Sequence, residues 1–475
     1  MHWSKIGPRL AGVACCDVVW DEDTLKFYSF DASPYRIKPR VVAYPTSEIE
    51  IIKILKFASR YRVPVTPRGG GTGLVGGALG NGIIMDMRNF NKISVGKNTV
   101  VVGGGVFKGR LDKELRRHGR FLGPNPSIGP FCTIGGMIGT NASGSRSLKY
   151  GSTVDNMISV KVITSNGAVL SLPFRGRHGT KFSRILDPAV RRNFPKVSKN
   201  SSGYRLDKVS SSSESHKIIA GSEGTLGVIV SAKMKTIPIP RKTVLIIASY
   251  NTLREALADV PNILKIGPSA LEVIDSNIVR HMGGMWPGRE RSLLFIEFDD
   301  HVSMKSSKIR RIIPGKIIKS TSKAGEIRKW WTYRNSALSY SLRSISRDEV
   351  LLSLMEDPAV PVHRLLLLLD LVDHLKSRYR MRVIVYGHAG NGNLHIRPIL
   401  KKASRRFIHR IASEFFHGVI SIGGTISGEH GDGLSRTGFV KLQYGEKTYS
   451  SFKELKEFFD PTNTLNPNKV VTGGK

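Results

Sequence analysis

Cysteine is scarce in this chain, and its scarcity excludes several kinds of protein. Only Cys15, Cys16 and Cys132 occur in 475 residues. Three thiols cannot build a disulfide framework, which argues for a reducing compartment. No CxxC pair is present, so the sequence does not predict an iron–sulfur cluster on this chain. The cysteine content therefore predicts a cytoplasmic protein.

The sequence also lacks an apolar run long enough to cross a bilayer, which takes about 20 residues. Residues 10–16 form a short apolar patch that acidic residues follow at once. The five leucines 365–369 stand between Arg364 and Asp370 and continue with helical spacing, so they predict a packed helix. We expect no membrane span, and peripheral attachment to the inner face of the cell membrane is left open.

Acidic residues are about half as frequent as basic ones. The chain has 73 Lys and Arg against 37 Asp and Glu, which gives a formal net charge of +36. The basic residues are spread along the chain, with denser groups at 181–208 and 305–319, and no helix-turn-helix, RRM or zinc-finger pattern accompanies them. Specific nucleic-acid binding is therefore not predicted. Two explanations stay open: a general compositional habit, and contact with an anionic membrane.

Glycine is plentiful, and six glycines fall in one stretch, Pro64–Gly77 (PVTPRGGGTGLVGG). This stretch is neither GxGxxG at the start of a helix nor GxxxxGK[ST], so it predicts neither a Rossmann site nor a P-loop. Glycine permits positive φ and close approach of a ligand, and successive N–H groups in such a loop suit a pyrophosphate. A glycine-rich turn between two strands is the simpler alternative. Before this stretch, a Thr/Ser cap and apolar spacing predict a helix over Glu48–Tyr61.

Short Val/Ile-rich runs alternate with glycine, proline and asparagine from residue 37 to about 240. Thr99–Gly103 and 157–164 are predicted strands, and Arg110–Arg117 is a predicted helix. The interval Ser198–Ser215 is expected to be a surface loop because its serines offer nothing to bury. Beyond residue 240, the predicted elements are a strand at 243–248, a helix at 253–260, a strand at 292–299, a helix at Asp357–Arg378 and a strand at 382–386. The predicted fold class is α+β.

Two histidines and an acid form the second informative region. His388 and His395 flank a glycine-rich turn in VIVYGHAGNGNLHIRP, and Glu429 and His430 are adjacent in SGEHGDGLSR. Because strand alternation alone cannot put both histidines on one site, the turn must fold them together. Two imidazoles and one carboxylate form a ligand set for a catalytic divalent ion with open positions. Structural histidines with satisfied hydrogen bonds are the alternative.

These motifs occur in a fixed order: PRGGGTG at 67–73, TIGGMIGTNASGSRSLKYG at 133–151, GSEGTLGVI at 221–229, and then the histidine motifs. In this order the chain resembles the flavin-binding domain of the vanillyl-alcohol-oxidase/PCMH superfamily. Within it, the chain is similar to the FAD-linked D-2-hydroxyacid dehydrogenases, which include D-lactate dehydrogenase, the glycolate oxidase catalytic subunit and D-2-hydroxyglutarate dehydrogenase. The resemblance runs from about residue 21 to 471.

The resemblance implies a division of the chain into four parts. A lead-in at 1–36 precedes a PCMH-type FAD-binding domain at 37–240. A cap or substrate domain at 241–415 is expected to hold an antiparallel sheet covered by helices. The segment 416–475 is expected to return to the FAD domain.

The resemblance also carries FAD contacts onto this chain residue by residue. They are Arg68, Gly69, Gly70, Gly71, Thr72, Gly73, Pro124, Ile134, Gly135, Asn141, Gly144, Tyr150, Glu223, Gly224, Thr225 and Asn466. Relatives with covalent flavin have a histidine at the position of Thr72, which cannot form that link. The FAD is therefore expected to be non-covalent.

The cap motifs are given roles in the same way. His388, His395 and Glu429 fall where the family binds a zinc, manganese or iron ion, and His430 falls where it has the catalytic base. Arg334 matches the arginine that holds the substrate carboxylate. Asn391 departs from the pattern, because many relatives have aspartate there. The loss of that negative charge is expected to weaken metal binding or to change which metal is bound.

The function implied by the resemblance is oxidation of a D-2-hydroxy acid, such as D-lactate or glycolate, to the 2-keto acid. Hydride would pass to flavin N5, and electrons would pass on to a quinone or a carrier protein. The expected partners are thus the hydroxy acid and that acceptor, and a homodimer is left open. Two alternatives use the same scaffold: an alkyl-glycerone-phosphate-synthase-like flavoenzyme, and a flavin-binding electron-transfer subunit of a larger complex.

Overall fold

The structure is a computed structural model that describes residues 5–280, 291–343, 345–401 and 403–473, except for the side chains at 338 and 341. Among the described residues, an amino-terminal half contains three sheets of four, five and two strands, and a carboxy-terminal half contains one sheet of seven strands. Helices share apolar cores with these sheets. The predicted α+β class is confirmed.

The first sheet carries the glycine-rich stretch at the end of one of its strands. Its elements are α1 (Ile6–Ala14), β1 (Asp17–Val19), α2 (Glu22–Phe27), β2 (Val41–Tyr44), α3 (Glu48–Tyr61), β3 (Val65–Arg68) and β4 (Ile83–Asp86). Strands β2, β4 and β3 run parallel, and β1 joins β2 as an antiparallel edge. The lead-in segment therefore contributes a strand to this sheet.

The predicted helix over Glu48–Tyr61 is confirmed as α3. Ser47 caps it in a capping box with Glu50, which satisfies backbone N–H groups that the first turn leaves unpaired. Its apolar positions, among them Ile51 and Leu55, are buried in a core that α1 and the strands of this sheet share. The capped amphipathic pattern thus fixed both the bounds and the buried face of this helix.

The second sheet follows in the chain. Its region contains β5 (Ile93–Val95), β6 (Thr99–Gly103), α4 (Lys108–Arg117), β7 (Arg120–Phe121), α5 (Ile134–Gly139), α6 (Ser147–Tyr150), α7 (Thr153–Asn156), β8 (Met157–Ile163), β9 (Val169–Leu172), α8 (Gly176–Ser183), α9 (Pro188–Arg192), β10 (Val228–Lys235) and β11 (Ile237–Pro238). The order β5-β6-β10-β8-β9 is antiparallel throughout, and β7 pairs with β11. The predicted strands at 99–103 and 157–164 are confirmed, the second ending one residue early.

The prediction that Ser198–Ser215 is a surface loop is wrong for its first part and holds for the serine run, since residues 210–214 are exposed or half-buried. Residues 199 to 206 are all buried. Their polar groups find partners inside the protein: Asn200 donates to the Tyr444 hydroxyl, and the N–H of Ser201 donates to the carbonyl of Ser427. Tyr204 and Leu206 join the apolar core of this half. The segment could be buried because its hydrogen bonds are satisfied, which its composition did not reveal.

The carboxy-terminal half is built on one large sheet. Its elements are β12 (Val244–Tyr250), α10 (Leu253–Leu264), β13 (Ala270–Ile274), α11 (Ser276–Val279), β14 (Ser292–Phe298), α12 (Val302–Ile312), β15 (Ile317–Thr321), α13 (Ala324–Asn335), α14 (Ala337–Arg343), β16 (Glu349–Leu351), α15 (Leu365–Arg378), β17 (Arg382–His388), β18 (Asn393–Lys401), α16 (Arg405–Ser421) and α17 (Gly433–Phe459). The order β15-β12-β14-β13-β17-β18-β16 is antiparallel throughout. Apolar cores lie on both faces, so the predicted helix-covered antiparallel sheet is confirmed.

The predicted helix Asp357–Arg378 begins later than expected. The α-helix starts at Leu365, after a short 3-10 turn at Val362–Arg364. Pro358 and Pro361 cannot donate a helical hydrogen bond and restrict the residues before them, which keeps 357–361 extended. The leucine run is a packed helix as predicted, with Leu365 and Leu368 buried.

The tail returns to the first sheet. The N–H of Val65 donates to the carbonyl of Thr464, and the N–H of Asn466 donates to the carbonyl of Val65. Helix α17 packs its aromatic residues, including Phe452, into the core of the amino-terminal half. Among the described residues, no helix combines the length and the apolar character needed to span a bilayer.

Candidate active site

A β-hairpin brings His388 and His395 together. Strands β17 and β18 pair Tyr386 with His395 and His388 with Asn393, so the two imidazoles face each other across the turn with ring centroids 5.2 Å apart. The turn ends at Gly392, whose φ is +67° and where a Cβ would lie 2.0 Å from the carbonyl oxygen of Val360. Glycine is therefore required there, and the predicted turn does fold the histidines together.

The loop that carries Glu429 and His430 is held by a buried carboxylate. Asp357 Oδ2 accepts the backbone N–H groups of Glu429 and His430, at 2.9 and 2.8 Å, and also the hydroxyl of Ser427. Asp357 lies in the extended segment that the two prolines keep out of α15. Its other oxygen accepts the amide of Asn393 on the hairpin. One carboxylate thus joins the loop to the hairpin.

Three imidazole nitrogens converge on one oxygen of Glu429. Its Oε1 lies 3.2 Å from Nε2 of His388, 3.4 Å from Nε2 of His395 and 3.5 Å from Nε2 of His430. The rings of His395 and His430 are stacked, with centroids 5.1 Å apart. The three residues predicted as metal ligands and the predicted base therefore occupy a single cluster.

Two buried carboxylates stand behind these imidazoles. Glu272 Oε1 lies 2.8 Å from Nδ1 of His388, and Glu356 Oε1 lies 2.6 Å from Nδ1 of His430. Each carboxylate also pairs with an arginine: Arg334 lies 2.5 Å from Glu272, and Arg397 lies 2.6 Å from Glu356. A carboxylate that accepts the Nδ1 proton fixes the tautomer in which Nε2 carries the lone pair.

This arrangement fits a cation. An imidazole in that tautomer, such as His388 or His430 when it carries a single proton, presents a lone pair at Nε2 to Glu429 Oε1, which also has only lone pairs to offer. Acceptors that face one another in this way need a proton or a metal ion between them. Nitrogen and carboxylate ligands with carboxylates behind them are typical of zinc and other transition-metal sites. Possible ligand atoms of Asp357, His395, Glu429 and His430 lie within 4.8 Å of one another, and this group shares His395 and Glu429 with the predicted ligands but does not include His388.

The titration of the cluster is uneven. Burial would lower the pKa of His430, but the charges of Glu356 and Asp357 outweigh it and raise that pKa well above its usual value. Burial dominates at His395 and lowers its pKa to about 4. Burial would raise the pKa of Glu429, but Lys199 and His388 hold it well below its usual range. Of His395 and His430, His430 is therefore the imidazole that holds a proton more readily.

Arg334 and Asn391 were both expected at the site, and both have partners inside the protein. The guanidinium of Arg334 is buried against Glu272, and Glu272 lies between it and the imidazole of His388. The amide of Asn391 donates to the Ser198 hydroxyl, and its carbonyl oxygen accepts from Ser147. Asn391 therefore joins the hairpin to the amino-terminal half, and substrate contact by Arg334 stays a prediction.

The glycine-rich stretch packs closely against the loop before α5. A Cβ at Gly69 would lie 2.0 Å from the Thr133 hydroxyl, and one at Gly70 would lie 2.2 Å from the carbonyl oxygen of Phe131. Gly71 has a φ of +64°. Larger residues would force these two loops apart, so the glycines form a narrow cradle of the kind that a dinucleotide pyrophosphate needs.

Other residues predicted to contact the cofactor have partners inside the protein. Arg68 donates to the carbonyls of Tyr28 and Phe30 beneath the stretch. Thr72 lies 3.4 Å from the thiol of Cys132. A Cβ at Gly135 or Gly144 would meet the backbone oxygen of Gly104 or Asn125. Asn141 is hydrogen-bonded to Asn200 and Val154, Tyr150 donates to Asp299, and Thr225 is hydrogen-bonded to Tyr204. Ile134 and Pro124 are buried, and Gly224 is half-buried.

Glu223 and Asn466 connect this region to the histidine cluster. Glu223 accepts the N–H groups of Asp432 and Gly433, where α17 begins three residues after His430. The amide of Asn466 donates to the carbonyls of Gly77 and Glu223. Burial, together with the nearby Asp432, raises the pKa of Glu223 to about 8. The glycine-rich stretch, the GSEGTLG motif and the loop that carries Glu429 and His430 are thus parts of one connected structure.

Sequence reasoning missed four charged residues of the site: Glu272, Glu356, Asp357 and Lys199. A signal was present for three of them. Glu272 is the only charge in the apolar strand ALEVI, and Glu356 and Asp357 stand together between apolar residues. A lone acid in a buried strand is costly unless it is paired, so its presence is a sign of a site. Lys199 lay in the supposed surface loop.

A glycine cradle, a helix-covered antiparallel sheet and a buried cluster of histidines and acids define an FAD-linked oxidoreductase. The comparisons with known families agree. Residues 39–173 match the FAD binding domain model, and residues 239–470 match the model of the C-terminal domain of FAD linked oxidases.

Full-length relatives identify the family. The chain is 30% identical to a D-lactate dehydrogenase of Archaeoglobus fulgidus, over 94% of this chain and 95% of that protein. It is 28% identical to the glycolate oxidase subunit GlcD of Bacillus subtilis, over 93% and 91% of the two chains. The chain belongs to the family of FAD-linked D-2-hydroxyacid dehydrogenases. An alkyldihydroxyacetonephosphate synthase structure shares the fold, with a TM-score of 0.66 at 19% identity over 95% of this chain and 83% of that one.

Proposed function

We propose that this protein oxidises a small D-2-hydroxy acid, such as D-lactate or glycolate, to the 2-keto acid, using non-covalent FAD and a divalent zinc, manganese or iron ion. The observation that carries the proposal is the convergence of three imidazoles on Glu429, two of them backed by buried carboxylates. The names of the full-length relatives support the substrate class.

The residues proposed for FAD are those of the glycine cradle and its supports. The residues proposed for the metal are His388, His395 and Glu429. Glu272 would keep the Nε2 lone pair of His388 directed at the ion by accepting its Nδ1 proton. The chain is divided in the same proposal into a flavin domain at 37–240, a cap at 241–415 and a returning tail.

The chemistry requires that the hydroxyl lose its proton while Cα loses hydride. When bound, the flavin supplies a hydride acceptor and the ion supplies a Lewis acid that makes the hydroxyl more acidic. His430 takes the proton at Nε2, because its Nδ1 proton is held by Glu356. The charge of Glu356 stabilises the imidazolium that results. Arg334 and Arg397 keep the two supporting carboxylates ionised by pairing with them.

A quinone or a carrier protein is proposed as the electron acceptor, with peripheral contact to an anionic membrane. The supporting feature is a basic surface on α12, which we call the α12 surface: Lys308, Arg310 and Arg311 are exposed beside the exposed apolar residues Met304 and Ile312. Exposed cations interspersed with apolar side chains are typical of proteins that bind the surface of an anionic bilayer.

The test is direct observation of the flavin. Pure protein is mixed in a stopped-flow instrument with D-lactate, glycolate or D-2-hydroxyglutarate, and with the L-enantiomers as controls. We expect the flavin absorbance to bleach with at least one D-acid or with glycolate, and a chelator to abolish bleaching until metal is restored. His430→Asn should keep the flavin and lose bleaching by a factor of roughly 10² or more. No bleaching with any acid would refute the dehydrogenase assignment and favour the transferase alternative, which needs no net redox change.

A further inference from the structure

Lys199 is a completely buried lysine at the centre of the proposed active site. Its side chain is 0% exposed, and its Nζ lies 3.0 Å from Oε2 of Glu429 and 3.5 Å from Oδ1 of Asn393. Removing an ammonium from water is costly unless specific partners compensate it. The lysine therefore has a defined role in this cluster, which the mechanism above does not use.

Ser143 binds the same carboxylate oxygen. Its hydroxyl donates to Oε2 of Glu429 at 2.8 Å. Ser143 lies between Asn141 and Gly144, in the loop proposed to contact FAD, and its own carbonyl accepts the N–H of Asn125. Both partners of Oε2 thus come from the amino-terminal half, whereas two of the three imidazoles that face Oε1 come from the hairpin of the other half.

The two oxygens of Glu429 therefore have different partners. Oε1 faces the imidazole nitrogens at 3.2 to 3.5 Å, and Oε2 is occupied by two donors. A carboxylate can bind a metal through one oxygen or through both. Two donors on Oε2, one of them a full positive charge, oppose binding through both.

We propose that Lys199 and Ser143 are positioning residues that restrict Glu429 to one-oxygen coordination and so keep metal positions open for a chelating ligand. This inference rests on the proposed function, in which the ion acts on the substrate hydroxyl, because a 2-hydroxy acid can chelate an ion through that hydroxyl and one carboxylate oxygen. Metal affinity does not explain the lysine, because a positive charge beside a ligand opposes the binding of a cation. Orientation of the carboxylate explains it.

The decisive variant is Lys199→Met, which keeps most of the volume and removes the donor. The FAD-containing protein is loaded with Co²⁺, whose visible absorption reports coordination number, and is titrated with oxalate as a two-oxygen chelating probe. We expect Lys199→Met to bind Co²⁺ at least as tightly as the unaltered protein, to show a changed cobalt spectrum before oxalate is added, and to bind oxalate at least tenfold more weakly. Ser143→Ala, which removes one small donor, should shift both measurements in the same direction by a smaller amount.

Lys108→Met is the matched control. Lys108 is also buried and is paired with Asp112 at 2.5 Å, outside the histidine cluster. It should leave the cobalt spectrum and oxalate affinity unchanged, whatever it does to stability. If Lys199→Met does not fold, Ser143→Ala decides the question. Cobalt bound normally, with unchanged spectra and oxalate affinity in the Lys199 and Ser143 variants, overturns this inference alone. Failure of the unaltered protein to bind any divalent ion overturns the proposed metal centre and this inference with it.

Discussion

Glu356 holds His430 in one orientation: its Oε1 lies 2.6 Å from Nδ1 of the imidazole, and its Oε2 lies 2.6 Å from Arg397. The pKa of this carboxyl is well below its usual value, because Arg397 and His430 outweigh the effect of burial. The imidazole of His430 thus has an ionised carboxylate beside it at neutral pH. In the proposed mechanism, its Nε2 is the nitrogen that exchanges a proton with the substrate.

Glu356→Gln should slow flavin reduction by roughly 10- to 100-fold, the usual range for a residue that orients a functional histidine. The amide cannot stabilise the imidazolium, so burial should dominate and the pKa of His430 should fall. The flavin-reduction rate, which rises with pH as His430 loses its proton, should therefore reach its plateau at a lower pH than in the unaltered protein. The metal content should be unchanged. A slower reaction with an unmoved profile would contradict the assignment of His430 as the base.

Glu272→Gln is the matched change on the other side of the cluster. Glu272 accepts from Nδ1 of His388, a proposed ligand. We expect this variant to weaken metal binding by roughly 10- to 100-fold and to leave the pH profile in place once metal is saturating. Competition with a chelator, followed by metal analysis, measures the first effect. If the two variants exchanged phenotypes, His388 and His430 would have exchanged roles.

Much of the fold could be predicted from the sequence, because its signals are local. Helix α3 has a capping box and a repeating apolar face, and the strand Thr99–Gly103 is a short β-branched run before glycines. The resemblance pointed to the four residues His388, His395, Glu429 and His430, and the structure brings these into contact. What local pattern could not supply is pairing across the chain.

The residues that were missed all depend on distant partners. Lys199 reads as an ordinary polar residue until Glu429, 230 positions later, lies 3.0 Å from it. The burial of residues 199–206 likewise depends on hydrogen bonds to the loop at 427 and to Tyr444. The start of α15 is a different case: Pro358 and Pro361 were visible in the sequence, but the leucine run beside them dominated the helical pattern.

Release of the flavin by acid tests the non-covalent attachment. Thr72 cannot form the link that histidine makes, and it lies beside the Cys132 thiol, whose pKa is raised by burial. A thiol that stays protonated is a weak nucleophile. Acid precipitation should therefore leave the yellow colour in the supernatant, both for the unaltered protein and for Cys132→Ala. Colour that stays in the pellet would contradict non-covalent binding, and its loss in Cys132→Ala would identify the attachment site.

The α12 surface should bind anionic bilayers. Reversing Lys308, Arg310 and Arg311 to glutamate should weaken sedimentation with phosphatidylglycerol vesicles by roughly tenfold or more, since each basic residue near such a surface contributes about 1 kcal/mol. Neutral phosphatidylcholine vesicles should bind neither the unaltered protein nor the triple variant. The matched control reverses the same number of exposed charges on α4: Lys113, Arg116 and Arg117. Equal losses in the two triple variants would show that net charge, and not the α12 surface, is responsible.

The stability of the protein should depend on the protonation of Glu223. Its pKa is about 8 in the folded protein, whereas a glutamate in an unfolded chain has a pKa of about 4.3. Between these values the folded state binds a proton that the unfolded state has lost, so the stability that this group contributes is present at low pH and falls as pH rises toward 8. Asp432, whose pKa is raised to about 6, acts in the same direction. Glu223→Gln removes both the titration of Glu223 and the charge repulsion from Asp432 that helps to raise its pKa. The melting temperature of the unaltered protein should therefore fall more steeply between pH 5 and pH 8 than that of the variant, by roughly 2 °C or more. Parallel curves would show that Glu223 is ionised throughout, with the N–H groups of Asp432 and Gly433 compensating its charge in full.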